Sequence, residues 1–332
     1  MNGRARVLLV TLGCMACPLA AEPLYVRDLG PVSGLFGLPV QRAALVLPEG
    51  QLELGLFGAI ASHYIDDGHG GERLHLDGET DRLALTLQYG FYRDWDLRLE
   101  LPWLRHSGGF LDSSIDGWHD FWGMSDGGRS VAPRDELLYG YQGQGGFLLE
   151  DDAAGPGDPT LSVSRQLIAG ENLGALLSLG YKFSLADDDE FLGSGSDDIY
   201  LAVQVDGVLG SAGMLHWYGQ GGYLYAGNSA MIERIQQRDL WFAGLGLEWR
   251  LAPAWALLGQ LDSHAAVADS EIPALGDDSV MLSGGVRWRP APDWALEFSV
   301  VEDIRVETAP DVTFQLGLRY RPGGAAGGSS RD

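Results

Sequence analysis

Cysteine is nearly absent from this sequence. There are two, Cys14 and Cys17, and both sit near the amino terminus. The rest of the chain therefore supplies no disulfide framework, no thiolate metal site and no cysteine nucleophile. Basic residues are also scarce, with 22 Lys and Arg against 46 Asp and Glu and a net charge of -24. That balance excludes nucleic acid as a partner, because phosphate backbones are bound by basic surfaces. Long apolar runs are missing too. Beyond the first stretch, none approaches the roughly eighteen residues that a membrane helix needs.

That first stretch has its own logic. Arg4 and Arg6 precede an apolar run from Val7 to Cys17, and Leu19-Ala20-Ala21 forms a small-residue exit. We predict a secretory signal peptide over residues 1–21. Removing Arg4 and Arg6 would take the net charge from -24 to -26. Cys14 or Cys17 as a lipidated terminus is the alternative, and Thr11-Leu12-Gly13 before Cys14 is a poor match for it.

From residue 50 onward the chain alternates. Val312, Phe314, Leu316, Leu318 and Tyr320 fall on one face, and Thr313, Gln315, Gly317 and Arg319 on the other. Successive strand side chains point to opposite sides, so this segment has one apolar and one polar face. Leu83, Leu85, Leu87, Tyr89 and Phe91 oppose Arg82, Thr86 and Gln88, and Trp95, Leu97, Leu99, Leu101 and Trp103 oppose Asp96, Arg98 and Glu100. Twelve such segments are expected.

A soluble sandwich would also alternate. Three features favour a membrane barrel instead. Links near 93–94, 169–171, 210–212, 252–254 and 290–293 are short, whereas polar stretches at 65–78, 107–157, 186–197, 227–237, 267–277 and 304–310 are long. Outer-membrane barrels pair tight periplasmic turns with long outer loops in this way. Tryptophans mark the short turns: Trp95, Trp249, Trp255, Trp288 and Trp294 are expected as an interface girdle, where an indole has an apolar ring and a wet N–H. Finally, the polar face is rich in charge. Glu53, Arg82, Arg98, Glu100, Lys182, Asp206, Glu248, Arg250, Asp262, Arg287, Arg289, Glu297, Asp303 and Arg319 are the expected lumen-lining residues.

The segment before the first strand carries a resemblance. Pro23-Leu24-Tyr25, Asp28-Leu29-Gly30-Pro31 and Leu35-Phe36-Gly37-Leu38-Pro39 resemble the amino terminus of an uncharacterised outer-membrane β-barrel family of Gram-negative bacteria, a domain of unknown function. Ile115-Asp116-Gly117-Trp118-His119-Asp120-Phe121-Trp122-Gly123 and Asp126-Gly127-Gly128-Arg129 resemble that family's long second loop. The resemblance implies an outer-membrane barrel, no assigned activity and no functional residues to carry over.

Candidate chemistry is thin. Ser62-His63, His106-Ser107 and Ser263-His264 are adjacent pairs, so their side chains point to opposite faces and make no ready nucleophile–base pair. No catalytic residue, metal site or cofactor is assigned. His119-Asp120 lacks paired-ligand spacing. The acidic runs Asp66-Asp67 and Asp187-Asp188-Asp189-Glu190 read as solvated loops that bridge loosely to divalent cations.

The sequence thus predicts an all-β protein: a transmembrane antiparallel up-and-down β-barrel of about twelve strands over residues 50–321. Residues 22–49 are expected as a periplasmic or plug segment, and 322–332 as a disordered tail. Small inward residues (Gly55, Ala59, Ala84, Gly180, Gly222, Gly244, Gly246) are expected to leave space in the lumen. The expected partners are outer-membrane lipid, lipopolysaccharide, the barrel-assembly machinery and divalent cations. The function expected is a narrow or gated channel for small solutes in the outer membrane of a Gram-negative bacterium. The alternative is a structural or adhesion barrel with a plugged lumen and functional acidic loops.

Overall fold

The structure, a computed structural model, describes residues 21–110, 136–170, 172–210, 212–305 and 308–323. The signal-peptide stretch up to residue 20, the 115–129 motifs with His119 and Asp120, and the tail beyond 323 lie outside the described residues.

Among the described residues, fifteen strands form one sheet. They are β1 (Leu52–His69), β2 (Glu72–Tyr92), β3 (Trp95–Ser107), β4 (Leu138–Gly143), β5 (Gly145–Leu149), β6 (Ala153–Pro156), β7 (Thr160–Ala169) and β8 (Leu173–Lys182). They continue as β9 (Asp198–Leu209), β10 (Leu215–Tyr225), β11 (Asp239–Ala252), β12 (Trp255–His264), β13 (Ser279–Ala291), β14 (Trp294–Asp303) and β15 (Val312–Tyr320). Twelve of them, β1 to β3 and β7 to β15, make a ring of antiparallel neighbours. The ring closes where β15 pairs with β1, from Leu54 opposite Tyr320 to Ser62 opposite Val312. Closure satisfies every wall strand on both sides and leaves the ring no edge, which is what a backbone in hydrocarbon requires.

The wall is apolar outside and polar inside. Leu316 is 66% exposed and Leu245 58%, whereas Arg287 and Glu248 are fully buried and Lys182 is 2% exposed. In water this would be an unstable surface, since a contiguous apolar exterior of this extent needs a nonpolar phase to cover it. A bilayer supplies that phase, and the alternation read in the sequence is the pattern it selects.

Two departures from the sequence expectation lie at the long-loop end. Residues 65–78, expected as a polar loop, continue β1 and β2 as a paired hairpin from Ile65 opposite Leu76 to His69 opposite Glu72. Gly70 and Gly71, with φ of 57° and 92°, make its two-residue turn. The described part of the long second loop also becomes sheet: β4 pairs with this hairpin and β6 with the outer end of β3. Between its two partners, β3 carries Pro102, which has no N–H to donate. Its carbonyl accepts from Gly157 at 2.9 Å, and there the chain passes from β6 to β7.

Candidate functional site

The lumen is filled by the chain's own amino-terminal segment. Residues 21–49 form no strand and only one short 3-10 turn, Ser33–Leu35. They enter at the short-turn end, rise to the long-loop end, reverse around that turn and descend again to β1. This finger is held along its whole path by inward side chains of the wall.

On the rising limb, the Ala21 N–H donates to Asp206 at 3.2 Å, Glu22 N–H to Glu248 at 3.0 Å and Leu24 N–H to Gln260 at 2.9 Å. The Tyr25 ring stacks on Phe57 with centroids 4.0 Å apart, and its hydroxyl accepts from Arg82 at 2.9 Å. At the top, Asp28 meets His264 at 2.9 Å, and the other ring nitrogen of His264 lies 2.9 Å from the Ala265 carbonyl. Descending, Gly37 N–H donates to Asp198 at 2.8 Å and Gln41 to Asp262 at 2.7 Å. Arg42 then pairs with Asp96 at 2.9 Å, and Val46 N–H donates to Gln166 at 2.8 Å. Glycine is required where backbones nearly touch. A Cβ at Gly90 would lie 2.2 Å from the Pro48 carbonyl oxygen, at the point where the finger joins the wall.

The predicted lumen residues divide into groups. Arg82 and Glu100 pair at 2.6 Å at mid-height, with Arg98 beside them over the Tyr25 ring. Lys182 is at the long-loop end with Asp158 and Asp198, each at 3.1 Å, and its ammonium also donates to Ser194 and the Leu35 carbonyl. Asp206 holds the finger's root, and Asp262 its descending limb. Glu53, Glu248, Arg250, Arg287, Arg289, Glu297 and Arg319 gather at the short-turn end. Arg287 bridges Glu297 at 2.8 Å and Glu248 at 3.3 Å, and Arg319 reaches Glu297 at 3.5 Å. Asp303 departs from the expected role. It turns onto its own loop and accepts from the backbone N–H groups of Arg305, Thr308 and Ala309 at 2.7 to 3.0 Å, because it sits at the strand's end. Trp95, Trp249, Trp255, Trp288 and Trp294 point outward at the short-turn end, with Trp255 and Trp288 stacked at 5.7 Å.

The small inward residues do not leave an open bore. Rings from neighbouring strands lie over three of the glycines. A Cβ at Gly180 would meet Tyr200, one at Gly222 would meet Phe242, and one at Gly246 would meet Tyr218. Gly244 is covered by Gln41 of the finger. The space exists, and it is already occupied.

The long-loop end carries residues that the sequence reading missed. Phe191, Ile232, Ile235, Ile272 and Leu275, scattered through loops expected to be solvated, pack with Leu35, Phe36 and Leu38 of the finger and with Leu74, Tyr139 and Phe242 of the strands. The available signal was the few large apolar residues in each otherwise polar loop, Phe191 with Leu192, Ile232 with Ile235, and Ile272 with Leu275. Among the described residues no cluster of three or more His, Cys, Asp or Glu side chains is placed to hold a metal. Both ring nitrogens of His106 are engaged, at 3.0 Å from Thr80 and 2.9 Å from the Phe191 carbonyl.

A closed antiparallel barrel with an apolar exterior and a polar, filled interior is an outer-membrane β-barrel. A family model described as "Protein of unknown function (DUF3187)" matches residues 6–322, and the chain belongs to that family. Among solved structures it is similar to the COG4313 outer membrane channel from Pseudomonas putida F1. The identity is 14%, over 83% of this chain and 96% of that one, with a TM-score of 0.53. It is also similar to the NanC porin (7% identity, 80% of this chain and 98% of that, TM-score 0.46) and the KdgM porin (8%, 81% and 98%, 0.42). No curated protein matches the chain significantly. The likeness to the Pseudomonas channel shows the fold.

Proposed function

We propose that this protein is a small-solute channel in the outer membrane of a Gram-negative bacterium, held shut by its own amino-terminal finger. One observation carries the reading. Among the described residues, no backbone–backbone hydrogen bond joins residues 21–49 to a wall strand; the wall holds the finger through side chains. A segment held this way leaves without unzipping a ladder, whereas a thirteenth strand would have to break the wall. With the finger in place, four cavities that border it measure about 10 to 60 Å³. That is room for a few water molecules at most.

A reversible tether tests it. A Cβ at Gly37 would lie 3.3 Å from that of Asp198, near the roughly 3.5–4.5 Å of a disulfide. In planar bilayers, Gly37→Cys/Asp198→Cys should be silent when oxidised and conduct after reduction, while the parent protein is indifferent to reductant. Equal conduction in both redox states would show that the finger is not the gate. Silence in every form would instead support the sealed structural or adhesion barrel.

A further inference from the structure

The chain is strongly acidic, yet one corner of its lumen is cationic. At the short-turn end Arg250, Arg287, Arg289, Arg319 and Arg321 converge with Glu53, Glu248 and Glu297 of the wall. Five guanidinium groups therefore meet three wall carboxylates, and the finger adds a fourth, Glu22, together with two backbone carbonyl oxygens. The Glu22 carboxylate lies between two of them, 3.2 Å from Arg289 and 3.4 Å from Arg321. The carbonyl oxygens of Glu22 and Pro23 accept from Arg287 at 2.7 and 3.1 Å, and that of Pro23 also accepts from Arg319 at 3.1 Å.

Even so, the corner is not saturated. Among the described residues the buried Arg319 Nε has no hydrogen-bond partner, and Arg98, which lies over the Tyr25 ring and in the field of Glu100, makes no direct ion pair. Both line a cavity of about 60 Å³ beside Glu22. Arg289 and Arg321 are 26% and 28% exposed at the mouth, so a solute reaches them from the short-turn side. Planar guanidinium forks match a carboxylate in geometry and charge, and their binding strengthens where water is partly excluded.

We propose that this corner is a binding site for a small carboxylate solute, and that Glu22 is a tethered stand-in for it. The proposal rests on the finger being displaceable. The solute's carboxylate takes the place of Glu22 between Arg289 and Arg321. Binding and release of the finger's root are then linked, because a ligand that prefers the vacated site shifts the population toward it.

The test uses the full chain in detergent, with succinate as the probe and calorimetry at fixed ionic strength as the readout. Glu22→Ala removes the internal competitor and should bind succinate about ten-fold more tightly than the parent, since the competent fraction rises. Adding Arg289→Gln and Arg321→Gln should abolish that binding. Adding Arg105→Gln, at an exposed arginine of the long-loop end, should not. Heat-modifiable migration on SDS gels confirms that each variant keeps its barrel. No saturable binding by Glu22→Ala, or binding that survives loss of both arginines, overturns the site. Succinate binding by a protein that never conducts would overturn the channel and leave the site standing. Conduction without succinate binding would do the reverse.

Discussion

The two ends of the lumen hold the same finger by opposite means. At the long-loop end its tip packs among apolar groups, with the Asp28–His264 and Lys182–Asp198 pairs buried beside them: Phe36 is 1% exposed and belongs to a cluster with Phe191, Tyr139 and Leu275. At the short-turn end its root lies among arginines and glutamates, with Arg287 fully buried between Glu248 and Glu297. Apolar burial is indifferent to salt and scales with area. Ion pairs near a mouth open to water respond to salt, pH and competing ions. From this difference we expect burial to dominate the hold at the tip, and the root to be where the holding is adjusted.

The strongest test of that division is at the tip. Phe36→Ala should weaken finger docking by about 3–5 kcal/mol, the usual cost of emptying an aromatic site. Hydrogen exchange of residues 24–46 should rise throughout; unchanged protection would mean the tip is not the anchor. Next comes the wall, which should be independent of both ends. Leu316→Arg places a charge against lipid and should cost roughly 2–4 kcal/mol in folding yield into bilayers, whereas Gln315→Arg on the inner face should cost little by that mechanism. Equal effects would break the assignment of faces.

Smaller effects separate the root from the tip. Raising salt from 0.1 to 1 M shortens the screening length from about 10 to about 3 Å. A cysteine at Pro23 should then react faster with a thiol probe, and one at Leu35 should not. Acceleration at both would show that the ion pairs at the tip, Asp28–His264 and Lys182–Asp198, and not its apolar packing, hold it. The smallest expected effect lies outside the barrel. Burial pushes the Glu72 carboxyl up, but hydrogen bonds from Ser270, Tyr141 and the backbone of Glu271 and Ile272 outweigh it and leave its pKa below the ordinary value. The Tyr141 phenol is correspondingly pushed up to about 12 by burial and by that carboxylate. A depressed acid stabilises above its unfolded pKa, and this contribution fades as pH falls through the folded one. The contact between the outer hairpin and the 265–278 loop should therefore loosen on acidification below the ordinary carboxylate range, and Glu72→Gln should remove that dependence in proteolysis of the loop.

Much of the wall was legible in advance. Period two alone puts Leu316 and Gln315 on opposite faces, and the structure exposes the first and buries the second, because a strand's facing is decided by its immediate neighbours. The closed ring of twelve followed from the same local pattern and from alternating link lengths. The contents of the lumen were not legible in this way. Glycines at 180, 222 and 246 read as empty space, since nothing in their own segments shows that Tyr200, Phe242 and Tyr218 lie over them from the next strand. Phe191 and Leu275 read as parts of solvated loops, since the few apolar residues around them follow no period.

The sequence by itself determined the alternation of faces, the strand count, the aromatic marking of the short turns and the presence of an apolar, aperiodic segment ahead of the first strand. Only the tertiary structure decided that this segment runs up and down inside the barrel, and that Glu22 occupies an arginine corner. The physical reason is separation along the chain. Facing is set between residues two apart, whereas Pro23 meets Arg319 across 296 positions and Ala21 meets Asp206 across 185. Such pairs have no local signature until closure of the ring brings the wall's inward side chains around the segment.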